Sequence, residues 1–211
     1  PYLVGRLNRL VMEGHQRLYQ RKTRFLYELL TFVTHGLPRA IREEAHYLWL
    51  AVALFAGPGI LFGIAVYVFP QLIYTVFSSE QIRQFTEMYH PTTHAAMQEA
   101  RNSADDFLMF GYYIRNNIGI AFQTFTGGIA FGVGTLFFLI YNGVIIGGVA
   151  GHLTELGHLN SFYSFVISHG AFELTGIVMA GAAGFRLGAA LLLPGNQTRL
   201  SALRLAAARA M

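Results

Sequence analysis

Cysteine is absent from this 211-residue chain. That excludes a disulfide framework, a thiolate metal site and a thiol nucleophile, so any chemistry has to come from His, Asp, Glu or hydroxyl groups. Charge is scarce as well. Asp, Glu, Lys and Arg make up 12% of the residues, against about 25% in ordinary soluble domains, and 54% of the chain is hydrophobic. The familiar catalytic fingerprints are missing too: there is no G-x-S-x-G, no phosphate-binding Walker loop, no dinucleotide fingerprint and no H-E-x-x-H. These absences point to a single-domain, all-α membrane protein that is not an enzyme, and no cofactor or metal is expected.

What charge there is lies mostly at the ends. Between Pro1 and His46 eight Arg or Lys face four Glu, and between Arg186 and Met211 four Arg (Arg186, Arg199, Arg204, Arg209) face no acid. The stretch from Pro70 to Asp106 instead has two Arg against five acids. Because Lys and Arg accumulate on the cytoplasmic side of membrane spans, both ends of this segment read as cytoplasmic and residues 70–106 as an external loop. An even number of crossings of the cell (inner) membrane follows.

Leu48 to Phe69 (LWLAVALFAGPGILFGIAVYVF) is 22 residues without a charge, long enough to cross a hydrocarbon core at ~1.5 Å per residue. Tyr47, Trp49 and Tyr67 mark its interfaces, and Gly57-Pro58-Gly59 predicts a kink. A long basic region precedes it, which argues against a cleaved signal peptide. Phe107 to Leu159 is too long for one crossing and suits two, with a break at Gly127-Gly128 in preference to one at Tyr141-Asn142-Gly143. A last crossing is expected from Ser161 to about Gly184, or on to Leu193, before Pro194-Gly195. The count is four.

Residues 1–46 form a separate region, expected to be helical, basic and amphipathic, with Leu3, Leu7, Leu10, Val11, Leu18, Phe25 and Leu29 at roughly helical spacing. It reads as a cytoplasmic helix on the membrane or under the bundle, or as a solvated helix packed on its own chain. The base-contacting pattern of a nucleic-acid arm is missing, so no nucleic-acid partner is expected. Residues 47–211 form the transmembrane bundle. The chain starts at Pro1 and stops within an Ala/Leu/Arg stretch, which reads as a piece of a longer protein.

Few residues could carry chemistry. His169 and Glu173 are four apart at the head of the last crossing, and Gly176, Ala180, Gly184 and Gly188 continue at the same spacing. The polar pair is thereby expected on a helix-packing face. Such small-residue stripes let membrane helices approach closely. Arg115, Asn116 and Asn117 fall inside or at the edge of a crossing, where polar groups are expensive and need partners. Three readings of Glu173 remain open: buried and protonated, paired with His169 and Arg115, or lining a wet cavity. His152 and His158 are six apart with Gly157 between them and are expected on different helix faces. Pro91 keeps His90 and His94 off a regular helix, so neither pair forms a metal site.

The stretch NNIGIAFQTFTGGIAFGVGTLFFLIYNGVIIGG (Asn116 to Gly148), with HGAFELTGIVMAGAAGFRLG (His169 to Gly188), resembles the stage II sporulation protein M family of bacterial and archaeal membrane proteins. The resemblance implies a polytopic, non-enzymatic protein whose namesake is the membrane member of a peptidoglycan-remodelling complex. It singles out Asn116, Asn117, Asn142, Gly143, His169, Gly170, Glu173 and Leu174, and implies a further hydrophobic segment beyond Met211. The leading expectation is a scaffold whose partners are the bilayer, other membrane or envelope proteins and further copies of itself. A channel or transporter using His169, Glu173, Arg115 and Asn142 is the alternative, and an intramembrane hydrolase the third reading.

Overall fold

The computed structural model describes residues 6–7, 11–12, 25–90, 103–166 and 170–210. The chain divides into two compact units, Pro1–Ala45 and His46–Met211. In the first, residues 25–31 are helical, a π-turn covers Phe32–Gly36, and α1 is Leu37–Glu43. Neither the π-turn nor α1 buries a residue. Arg39 and Glu43 make an exposed i,i+4 ion pair of 2.7 Å, the kind of pair that stabilises helices only slightly.

The second unit contains α2 (Ala45–Val68), a 3₁₀ turn (Pro70–Thr75), α3 (Ser79–Tyr89), α4 (Ser103–Thr126), α5 (Val133–Glu155), α6 (Leu159–Phe165), α7 (Ala171–Leu192) and α8 (Arg199–Ala210). No strand occurs among the described residues. Three of these helices, α2, α5 and α7, are long and apolar enough to cross a membrane. The expected count of four therefore stands at three by composition. The missing one is α4: it has the length, 24 residues, but Asp105, Asp106, Arg115, Asn116 and Asn117 dilute its apolar content. The helix α2 runs unbroken through Pro58. The last span is described in two parts, α6 (Leu159–Phe165) and α7 (Ala171–Leu192); Val166 and Gly170 are π-helical, residues 167–169 lie outside the described residues, and the end at Leu192 agrees with the longer of the expected bounds.

Glycines set how these helices meet. A Cβ built on Gly143 would overlap the Phe55 carbonyl oxygen, one on Gly147 that of Gly59, and one on Gly151 that of Gly63. In return, a Cβ on Gly59 would sit 2.8 Å from the Gly143 oxygen and one on Gly63 2.9 Å from that of Gly147. Residue numbers rise together along both helices, so α2 and α5 run parallel with their backbones in contact. The break expected at Gly127-Gly128 is a 3₁₀ turn, Gly127–Ile129. Phe131 (φ 55°) and Gly132 (φ 84°) complete the reversal, and Gly127 closes against Gly134. Inside this hairpin the buried Thr135 hydroxyl donates to the Thr124 carbonyl at 2.7 Å.

The helix α7 lies along this hairpin. Gly184 fits between Thr135 and the carbonyls of Thr124 and Phe125, Gly188 meets Gly132, and Gly181 meets the Leu139 side chain. It is thus antiparallel to α5 and parallel to α4. Ala51, Leu139 and Ile177 form the buried centre where α2, α5 and α7 converge, with Ile120 and Ala121 of α4 packed against it. A second cluster, Val66, Ile73, Phe77 and Ile82, seats the 3₁₀ turn and α3 on the C-terminal ends of α2 and α5. After Gly195 (φ 61°) the chain turns back, and α8 packs on α7 with Ala202 and Ala206 buried.

The expected stripe Gly176, Ala180, Gly184, Gly188 is corrected at its head. Gly176 is exposed and a Cβ there meets nothing within 4 Å. Each four-residue step overshoots a 3.6-residue turn, so a strict i+4 row drifts round the helix. The buried row is Ile177, Gly181, Gly184, Gly188 and Leu191, whose alternating steps of four and three keep it on one side. Gly147→Ala should therefore lose about 1–3 kcal/mol by forcing two backbones apart. Gly119→Ala, with open space around it, should be neutral or gain up to ~1 kcal/mol of helix propensity. Thermal unfolding in detergent distinguishes them, and the same assay should find Gly176→Leu mild and Gly184→Leu severe. Equal losses at Gly176 and Gly184 would reject this packing face.

Candidate functional site

The polar residues of the spans sort by depth. Because the Thr124 and Phe125 carbonyls face Gly184 in parallel helices, stepping back nine residues on each puts Arg115 at the level of Thr175, with both turned away from the contact, since nine residues are two and a half turns. Arg115 and Asn116 are exposed on the outer side of α4, and Glu173 is half-buried. No ion pair joins Arg115 to Glu173 among the described residues. Ile114, Ile118 and Phe122 of α4 are exposed as well, and Phe172 of α7 is 86% exposed. Gly111 and Gly119 on α4 are also open.

Asn142 is placed differently. It faces partly inward and its amide donates to the Phe138 carbonyl of its own helix at 2.7 Å. The pairing of Thr135 with Thr124 in the antiparallel hairpin puts it level with Asn117, which is half-buried and makes its own polar contact. Gly143 belongs to the α2 contact. Gly170 caps α7 without a side-chain bond, and Leu174 is half-buried. His169 lies outside the described residues, so the His169–Glu173 pair is not part of this geometry. The structure thus separates the polar motif residues: Arg115 and Asn116 are exposed on α4 and Glu173 is half-buried near the head of α7, while Asn142 and Gly143 serve the interior.

A second polar group gathers at the opposite end of α5 from Gly132. The helix stops at a Schellman cap, with Gly157 at φ 78°, its N–H bonded to the Thr154 carbonyl at 3.1 Å and the His158 N–H to that of Leu153 at 2.9 Å. This turn carries His158 off the helix, so its ring meets that of His90 with centroids 5.2 Å apart. The expectation of two histidines on different helix faces did not allow for this cap, although a glycine just past an apolar helix is its usual signal. Thr86 of α3 bridges to His152 Nε2 at 3.1 Å. Its hydroxyl proton already goes to the Ile82 carbonyl at 2.9 Å, so the oxygen accepts from His152 and the imidazole proton sits on Nε2. His152 Nδ1 is buried with no hydrogen-bond partner among the described residues. No three His, Asp or Glu side chains converge as metal ligands among the described residues.

The helix α3 itself is stabilised locally. Ser78 and Gln81 form a reciprocal capping box. Arg83 bonds Glu80 at 2.9 Å and Glu87 at 3.2 Å, and the Arg83 hydrogen bond, then that of Gln84, holds the Glu80 carboxyl below its ordinary range. A depressed carboxyl contributes above its unfolded pKa and loses the contribution as pH falls, so these exposed contacts weaken only in acid.

The sequence signature of the stage II sporulation protein M family matches residues 47–211. The chain belongs to this family. The match takes in α2 to α8 almost entirely and leaves out the first compact unit. An uncharacterized protein of Methanocaldococcus jannaschii is 29% identical over 79 residues, 37% of this chain and 44% of that protein. The aligned stretch is thus less than half of the relative's length. No solved structure matches the chain.

Sequence reasoning missed Thr86, Thr124 and Thr135, because a single threonine carries no spacing signal. It also read Gly57-Pro58-Gly59 as a kink and passed over Gly59-x-x-x-Gly63, the small-residue pair that meets α5. Thr86→Val in this family member should speed amide exchange in α3 by about fivefold, the size of one hydrogen bond, while leaving α5 unchanged. Exchange in α3 at the wild-type rate would mean that the Ile73–Phe77–Ile82 packing holds the helix without Thr86.

Proposed function

We propose that this protein is a non-enzymatic membrane scaffold that organises partner proteins in a complex linked to cell-envelope remodelling. In this reading α4 is the fourth crossing. It is as long as α2 and lies antiparallel to both α2 and α5, so crossings alternate and the ends at Ala45 and Leu192 share one side. The basic residues at both ends make that side cytoplasmic. The composition of α4 then has a purpose, since a span that meets a protein rather than lipid can carry polar groups.

The observation that carries the reading is the outward position of Arg115 and Asn116, with Glu173 half-exposed at nearly the same level. A charge on the lipid face of a span is costly, whereas a partner helix that supplies a carboxylate or amide would satisfy it. Exposed Ile118 and Phe122 beside them offer apolar contact to the same partner. The interior supports this assignment as well. Helix contacts through Gly143, Gly147, Gly184 and Gly188 are made by backbone, and the centre is Ala51, Leu139 and Ile177, so no charged side chain stands at that centre among the described residues.

The native absence of cysteine makes the test direct. Single cysteines at Ile118 and Phe172 should give discrete crosslinked species in native membranes, while one at Phe137 on α5 should not. Arg115→Leu should reduce the Ile118 crosslink by more than about tenfold, because breaking a desolvated charge pair costs ~3–5 kcal/mol. Glu173→Gln, which keeps shape and hydrogen bonding, should leave assembly and most function intact. A stable, correctly assembled Glu173→Gln protein without function would replace this reading by an ion or solute path that needs a titrating carboxylate.

A further inference from the structure

The contact between α2 and α5 leaves a furrow beside it. Where Gly59, Gly63, Gly147 and Gly151 bring the two backbones together, no side chain stands over the seam, and a groove of about 440 Å³ runs along it. Exposed Ile60 and Ile64 stand along it on the α2 side. Its lining carries no charged residue. The groove does not extend to Arg115 or Glu173, and it is independent of the proposed scaffold flank.

Its dimensions decide what could occupy it. Along α5 it extends from Gly143 to Thr154, a rise of about 16 Å. The furrow has no charged lining and its few hydroxyl groups stand at one end, so most of its length offers nothing to water. A single hydrocarbon chain matches its length and its lining.

Hydroxyl groups mark one end. Thr154 donates to its own Ala150 carbonyl at 2.6 Å, so its oxygen can only accept from the Tyr163 hydroxyl at 3.4 Å. That leaves the Tyr163 oxygen as an acceptor at the mouth of the groove. Tyr67, more than half exposed and also lining the groove, adds a second phenol. Tyr67 lies at the C-terminal end of α2, and Tyr163 of α6 reaches the C-terminal end of α5 through Thr154; tyrosines at span ends are the ones that meet headgroups. With two phenols and no charge, the mouth complements an uncharged head bearing hydroxyls and favours no phosphate. Apolar lining with a few polar groups at one end is the usual build of a small-ligand site.

We infer that the α2/α5 furrow is a lipid-binding site that holds one acyl chain of a neutral glycerolipid of the diacylglycerol type, with the glycerol hydroxyl at Tyr67 and Tyr163. The whole chain, reconstituted in phosphatidylcholine nanodiscs with a diacylglycerol carrying a photoactivatable group on one acyl chain, tests it. Adducts should map by mass spectrometry to Ile60–Tyr67 and Ile146–Thr154. Unlabelled diacylglycerol should compete at least about fivefold better than phosphatidylglycerol, the discrimination expected of one or two hydrogen bonds. Ala150→Phe, which fills the furrow beside the seam rather than within it, should abolish labelling while the thermal midpoint is retained. Tyr67→Phe with Tyr163→Phe keeps the groove and should preserve labelling but erase the preference for the hydroxyl head. If Ala150→Phe does not fold, the tyrosine pair alone decides. Adducts spread evenly over the lipid-facing helices, labelling indifferent to Ala150→Phe, or equal competition by phosphatidylglycerol in the wild type would each overturn the assignment.

Discussion

Contact between helix backbones at glycine is the constraint on which the rest of this structure depends. Inside a bilayer, lipid tails are as apolar as leucine, so burying an apolar side chain between two helices gains little. What remains is close packing and the weak Cα–H···O contacts that only a bare Cα permits, each about 0.5–1 kcal/mol. The row Gly143, Gly147, Gly151 against Phe55, Gly59, Gly63 supplies such contacts between α2 and α5, and Gly128, Gly184 and Gly188 supply them for α7. Since α2 and α5 are parallel, the chain has to return between them. The helix α4 makes that return, and the tight Gly127–Gly132 reversal fixes its position against α5. The side chains that complete the interior are correspondingly few: Ala51, Leu139 and Ile177.

The same close packing determines where polar side chains can go. A helix pair in backbone contact has no room for an arginine or a carboxylate between its members, so charge is directed to the faces that the glycines do not use. On α4 that face carries Arg115 and Asn116 beside Ile118 and Phe122. On α5 and α2 the unused space becomes the furrow, whose polar groups are confined to one end. The scaffold reading and the lipid-site reading therefore share one physical origin, although they concern different surfaces and stand or fall separately.

Much of this was legible in the sequence, and the exceptions have physical reasons. The span α2 was plain from 22 uncharged residues, and the break after Thr126 from paired glycines that a helix interior disfavours. The family was legible from the residues Asn116 to Gly148 and His169 to Gly188. The stripe headed by Gly176 was misleading because spacing by four was read as a straight line on a helix that turns every 3.6 residues. The meeting of His158 with His90 was hidden because it depends on a chain reversal at Gly157, which periodicity does not describe. The contact surface of α2 was obscured because glycine next to proline signals a kink and a packing face equally well. The span status of α4 could not be read from composition, since its polar residues argue against lipid and are neutral about a protein neighbour.

The polar groups inside the helices also divide by how they are satisfied. Thr86, Thr124, Thr154 and Thr175 each donate to a carbonyl four residues earlier, and Asn142 does the same through its amide. Such back-bonding makes a short polar side chain tolerable at any depth without help from another helix. Arg115 and Glu173 differ, because one backbone carbonyl does not satisfy a full charge, and no ion pair gives either a counter-charge among the described residues. In the scaffold reading a partner helix supplies what Arg115 lacks, whereas the threonines and Asn142 need none. This difference, more than the motif spacing, is what sets the proposed partner face of α4 apart from the interior of the bundle.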